Sequence, residues 1–140
     1  MHRYLRVGLL LVLLLPLSCG KKAGLPLAPV SGRITMDKKP LAKAQVRFQP
    51  ANPQTDPALC PESYGETDEQ GNYSLKPVGA RANEQGAVVG NHIVQVSIFE
   101  RESPTGPREL IPAKYSSGTA LTFTVPPEGT KEANFDLTSK

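Results

Sequence analysis

Two cysteines and one histidine, Cys19, Cys60 and His92, carry most of the reactive chemistry in this 140-residue chain. A thiol becomes a nucleophile or a soft metal ligand when a base or a cation favours its thiolate. His92 is the one histidine beyond the amino-terminal segment that could serve Cys60, and separation in sequence does not decide whether the two meet. The Pro57-Ala58-Leu59-Cys60-Pro61 context is that of a plain unpaired loop thiol. No CxxC, HExxH or paired-histidine spacing is present, so the strong zinc patterns are absent. Asp68, Glu69 and Asn72 surround Gly71 and resemble calcium donors in type. The twelve-residue loop with its terminal glutamate is missing, however, and an Asp at the start of a turn ordinarily accepts local backbone N–H bonds. The remaining acids fall in turns and at strand ends, where solvated charge is their ordinary role. The expectation is a chain with no catalytic residues, no metal and no cofactor.

The element that positions Cys19 is the amino-terminal leader. Arg3 and Arg6 precede an unbroken apolar run over residues 7–15, and Pro16 and Ser18 follow. Basic, apolar and then small is the order of an export signal, and the run is too short to span a bilayer. Leu15-Pro16-Leu17-Ser18-Cys19-Gly20 resembles the lipobox of bacterial lipoproteins, departing from it at Pro16, where an aliphatic residue is usual. The resemblance implies cleavage before Cys19 and lipid attachment at its sulfur, with acyl chains such as palmitate holding the protein at a membrane. Each buried methylene contributes roughly 0.8 kcal/mol, so two or more chains anchor a protein stably. The expected organisation is a lipoprotein signal peptide over 1–18, a lipidated Cys19 and flexible tether over 19–28, and one folded domain over 29–138. Cys60 would then have no disulfide partner.

The net charge of +3 includes Arg3 and Arg6 of the leader, leaving the rest near neutrality with acids scattered among the bases. That distribution is no nucleic-acid footprint, which requires clustered Lys and Arg. Fourteen prolines and twelve glycines suit short strands joined by turns. Period-two alternation predicts strands over 30–36, 44–49, 64–67, 72–75, 92–100, 121–125 and 133–137. Residues 50–61, with several prolines, read as an exposed loop, and 76–90 as a connection. The segments 64–67 and 72–75 read as a hairpin turning at Gly71, and 121–125 and 133–137 as a second hairpin. Val46, Phe48, Tyr73, Val94, Val96, Ile98, Phe123, Val125, Phe135 and Leu137 form the expected core. The predicted class is all-β, a seven-stranded antiparallel Greek-key sandwich.

Four segments carry a further resemblance: Pro29-Val30-Ser31-Gly32-Arg33-Ile34, Lys39-Pro40-Leu41-Ala42-Lys43-Ala44-Gln45-Val46-Arg47-Phe48, Thr67-Asp68-Glu69-Gln70-Gly71-Asn72-Tyr73 and Ile111-Pro112-Ala113-Lys114-Tyr115. In this order they look like the carboxypeptidase regulatory-like, or transthyretin-like, domains found as small lipoproteins in planctomycete-type bacteria. The resemblance implies a prealbumin-like fold far more than an activity. Transthyretin-like enzymes that hydrolyse 5-hydroxyisourate rely on several His and Arg residues and a Tyr-Arg-Gly-Ser terminus. Here His92 is the single histidine outside the leader, and the last residues are Asp136-Leu137-Thr138-Ser139-Lys140.

The function expected from these readings is that of a non-enzymatic, membrane-anchored module of the cell envelope, exported and held on the periplasmic or outer face. Its partner would be an envelope protein or a glycan, with no nucleic acid. The alternative is a small-ligand or carbohydrate-binding module. Sugars stack on aromatic faces, and in a chain without Trp the candidates are Tyr64 and Tyr115.

Overall fold

A computed structural model describes residues 25–51 and 59–140; the leader, Cys19, the first part of the expected tether and residues 52–58 lie outside the described residues. The strands are β1 (Leu27–Ala28), β2 (Ser31–Met36), β3 (Lys39–Pro40), β4 (Gln45–Pro50), β5 (Ser63–Glu66), β6 (Asn72–Ser74), β7 (Lys76–Pro77), β8 (Ala87–Val88), β9 (Gly90–Ser97), β10 (Phe99–Glu100), β11 (Arg108–Glu109), β12 (Leu121–Val125) and β13 (Phe135–Leu137), with a single helical turn, α1 (Ala113–Ser116). The class is all-β and sandwich-like, as alternation predicts. No helix among the described residues is long and apolar enough to cross a membrane.

One sheet has the order β12-β9-β4-β5-β7, with every neighbour antiparallel. Its longest pairing joins β4 to β9, placing Val46 opposite Val96 and Phe48 opposite Val94. The second layer is built around β2, flanked by β13, β3 and β6. Strand alternation turns alternate side chains inward. Val46 and Phe48 on β4, Val94 and Val96 on β9, Ile34 on β2 and Leu137 on β13 are all essentially inaccessible. Phe48 sits where the layers meet, with ring centroids 5.9 Å from Phe123, 6.3 Å from Phe135 and 6.5 Å from Tyr73. The Tyr73 hydroxyl donates to the Ala133 carbonyl at 2.7 Å, so a polar atom inside this cluster is satisfied.

Two expected hairpins are corrected by the pairing. The segments on either side of Gly71 part company: β5 joins the five-stranded sheet through β4 and β7, while β6 pairs with β2. Likewise β12 pairs with β9, but β13 lies beside β2 and runs parallel to it, with Phe135 opposite Ile34. Each connection therefore carries the chain between layers instead of folding a ribbon within one. Alternation places a face inward but does not choose a partner, so it does not distinguish these pairings from a hairpin. The parallel β2–β13 pair also means that the fold is not wholly antiparallel.

Several boundaries also shift. Leu27–Ala28, expected in the tether, pairs with Val88 and Ala87, and Ala28 is fully buried. The expected connection over 76–90 contributes β7 and β8. Pro50 ends β4 and is buried, and Cys60 is only 5% exposed, so these two residues of the expected exposed loop are not solvated. The strand expected over 92–100 ends at Ser97. Phe99–Glu100 continues instead as a small ribbon with Arg108–Glu109.

Two glycines are required by geometry. Gly71 has φ of 81°, and a Cβ there would meet the Ile34 carbonyl oxygen. A Cβ on Gly32 would strike the Ala133 carbonyl oxygen, so its bare backbone is what lets the chain leading into β13 lie against β2.

Candidate functional site

The most organised group of polar side chains lies on the outer face of the five-stranded sheet. Register creates it. Arg47 on β4 is directly opposite Tyr64 on β5 and Gln95 on β9, and Tyr64 is in turn opposite Lys76 on β7. Since Val46, Phe48, Val94 and Val96 point inward, these four residues form a lateral rib across the other face. Glu62, just before β5, reaches onto it. Arg47 Nε donates to Glu62 Oε2 at 3.0 Å and its Nη2 to Oε1 at 2.5 Å, a two-point charge-assisted pair. Arg47 Nη1 donates to Gln95 Oε1 at 3.3 Å, and the Tyr64 hydroxyl donates to Glu62 Oε2 at 2.8 Å. The guanidinium carbon lies 5.9 Å from the Tyr64 ring centroid, within cation–π range.

These contacts set the electrostatics. Hydrogen bonding to Arg47 holds the Glu62 carboxyl below its ordinary value, and the same pairing raises the Arg47 guanidinium. Tyr64 is pushed up by partial burial and then by its bond to Glu62. At neutral pH the group is a closed ion pair beside a neutral phenol. Such a pair can orient a ligand's hydroxyls or amides, but it offers neither an activated nucleophile nor a free base. Tyr64 remains 40% exposed, so its ring is available for stacking.

The two sequence-selected tyrosines therefore have different surroundings. Tyr115, on α1, is only 9% exposed and belongs to the core cluster; its hydroxyl lies 3.3 Å from the Thr138 hydroxyl, and Lys114 Nζ is 4.8 Å from its ring centroid. Tyr64 faces out and Tyr115 faces in, so they do not build one platform. Arg47 and Glu62 went unselected in the sequence because a strand's polar face gives no sign of which residues on other strands will adjoin it. Register supplies that information.

Asp68 shapes a turn. Its Oδ1 accepts from the Gln70 N–H at 2.9 Å and the Asn72 N–H at 2.8 Å, while the turn closes through Gly71 N–H to the Asp68 carbonyl at 2.9 Å. Among the described residues no three His, Cys, Asp or Glu side chains gather where they could hold a metal.

Cys60 and His92, far apart in sequence, line one cavity of about 220 Å³ together with Leu25, Pro50, Val88 and Asn91. His92 points inward on β9, 2% exposed, with its ring centroid 5.7 Å from that of Phe48. Its Nδ1 is 3.0 Å from the Gly90 carbonyl oxygen, and burial holds the imidazole below its ordinary pKa. The chain matches no protein-family model, no curated protein and no solved structure.

Proposed function

We propose that the protein is a lipid-anchored, non-enzymatic interaction module of the cell envelope, binding its partner through the outer face of the five-stranded sheet. The observation that carries the binding surface is the rib of Gln95, Arg47, Tyr64 and Lys76, with Glu62 locking the arginine in place. An arginine already paired and hydrogen-bonded loses little conformational freedom when a partner arrives, so less binding energy is spent on ordering it. The anchoring part rests on the lipobox-like segment ending at Cys19. In this reading the domain is a seven-stranded Greek-key sandwich of the carboxypeptidase regulatory-like kind. The passage of the chain between layers after β5 and again after β12 supports that topology.

Fractionation of cells expressing a Cys19→Ala chain tests the anchor. Release into the soluble fraction, with the β-sheet circular dichroism unchanged, is the expected result. Retention in the membrane fraction would overturn anchoring through Cys19.

The half-exposed Tyr64 ring, bordered by Arg47, Glu62 and Lys76, favours a carbohydrate as the partner's chemistry. A sugar presents an apolar face to an aromatic ring and hydroxyls to the flanking polar groups. Peptidoglycan fragments and a glycan array provide the probes. Binding that disappears in Tyr64→Ala supports this form of the reading, whereas binding unaltered by that substitution, or none at all, counts against it.

A further inference from the structure

The outer strands of the two layers are not alike. β7 and β3 are two residues long and both read Lys-Pro, and β6 is three residues long. β13 is also three, with Asp136 ion-paired to Lys38. Shortness, lysine, proline and charge are the usual guards that keep a sheet edge from pairing with another chain. β12 has none of them. It presents Leu121-Thr122-Phe123-Thr124-Val125 at the end of the five-stranded sheet, and no strand among the described residues pairs with its far side.

The phase of the ladder fixes which backbone groups face outward. The Ala51 N–H donates to the Asn91 carbonyl opposite it at 2.8 Å, so Asn91, Ile93 and Gln95 turn their backbone groups toward β4. Those of His92 and Val94 therefore turn toward β12, where they meet Phe123 and Leu121. This leaves the N–H and C=O of Thr122 and Thr124 pointing away from the sheet, on two exposed residues. These groups are complementary to themselves. Antiparallel pairing of β12 with a second β12, centred on Phe123, sets Thr122 of each copy opposite Thr124 of the other and satisfies all four N–H groups of the two strands. The same register sets Leu121 opposite Val125 and Phe123 opposite its own counterpart, covering the half-buried Leu121 and Phe123 side chains with apolar and aromatic ones. No residue from 121 to 125 is charged, so no like charges are opposed, and Pro126 and Pro127 end the strand.

We propose that β12 is a homodimer interface, joining the five-stranded sheets of two copies edge to edge into one continuous sheet. The pairing uses the same strand of both copies and so consumes the open edge, while the Lys-Pro edge at β7 stops further growth. The assembly closes at two. Its twofold axis stands perpendicular to the sheet, which puts the Arg47–Tyr64 faces of both copies on the same side. The interface is separate from those faces and does not rest on their binding role.

Sedimentation equilibrium of the full chain, carrying Cys19→Ala and held in density-matched detergent micelles, reads the association. A monomer–dimer equilibrium with micromolar to millimolar dissociation is expected of so short a ladder. Thr124→Pro is the discriminating variant. The Thr124 N–H is not part of the β9 ladder, so proline removes two of the four intermolecular bonds and leaves the sheet paired. Dimer affinity should fall by about tenfold or more. Joint Thr122→Lys and Thr124→Lys substitution opposes like charges across the interface without altering the core, and should weaken the dimer at least as much. Register is read separately. Chains carrying Thr122→Cys mixed with chains carrying Thr124→Cys should cross-link on mild oxidation more readily than either alone, because only the mixed pair is directly opposite. A parent that stays monomeric to millimolar concentration, a dimer equally tight in both variants, or cross-linking no greater in the mixture would overturn the proposal.

Discussion

The Tyr73 hydroxyl bonds the Ala133 carbonyl at 2.7 Å across sixty residues of sequence, fastening β6 to the segment that enters β13. Removing only the oxygen, in Tyr73→Phe, leaves the ring packed and the carbonyl without this partner. The expected loss is about 1–2 kcal/mol, read from chemical denaturation near neutral pH. Burial also raises the Tyr73 phenol well above its ordinary value of 10.0. Between that value and the folded one, the unfolded chain releases a proton that the folded chain keeps. Stability is therefore undiminished by this group below pH 10 and falls as pH rises above it. Phenylalanine cannot titrate, so the stability gap between the two proteins should narrow from pH 8 to pH 11. A constant gap would show that Tyr73 is not buried in this way.

Phe48 is the residue on which the two layers converge, with Phe123, Phe135, Tyr73 and His92 all within aromatic contact range. Truncation to Ala leaves a cavity bounded by several rings that cannot all collapse into it. The expected cost is about 3–5 kcal/mol, the usual range for a buried aromatic. Leu at the same position should cost appreciably less because it refills much of the volume. Thermal unfolding of both variants measures the difference, and an Ala variant as stable as the Leu one would contradict the packing.

Phe48 also marks what was legible in the sequence. Alternation on β4 and β9 gives inward faces because burial on one side of a strand imposes a period of two, which places Phe48 and Val94 inside. Nothing local told the chain beyond Gly71 to pair with β2, or β13 to run parallel to it, since partner choice is fixed by packing across the whole domain. The sheet-face rib was hidden for the same reason. Arg47 acquires its role from residues on β5 and β9. The proline-rich neighbourhood of Cys60 suggests exposure, whereas the Leu25 N–H donating to the Leu59 carbonyl draws this stretch against the domain.

Asp68 holds its turn by accepting two backbone N–H bonds at Oδ1, and no other carboxylate joins it in a group of three that could hold a metal among the described residues. Asp68→Ala should cost about 1 kcal/mol, while Asp68→Asn, which keeps an acceptor oxygen, should cost less. Millimolar calcium or EDTA should leave the melting temperature of the parent unchanged. A calcium-dependent rise abolished in Asp68→Ala would instead make this turn a cation site.

The Arg47–Glu62 pair separates a structural role from a recognition role. Its side chains are 37% and 29% exposed, so solvent screens much of the attraction. A double-mutant cycle with Arg47→Ala and Glu62→Ala should return a coupling of only about 0.5–1 kcal/mol, reduced further by added salt. Glu62 is held below its ordinary pKa by Arg47, so its contribution is present above the unfolded value near 4.5 and is lost as pH falls through the folded one. The Arg47→Ala chain should therefore lose less stability than the parent on acidification. If the pair contributes so little to folding, its two-point geometry has its use at the surface. Glu62→Ala should then weaken capture of the partner by the sheet face far more than it lowers the melting temperature. Parallel losses of both would make the pair purely structural.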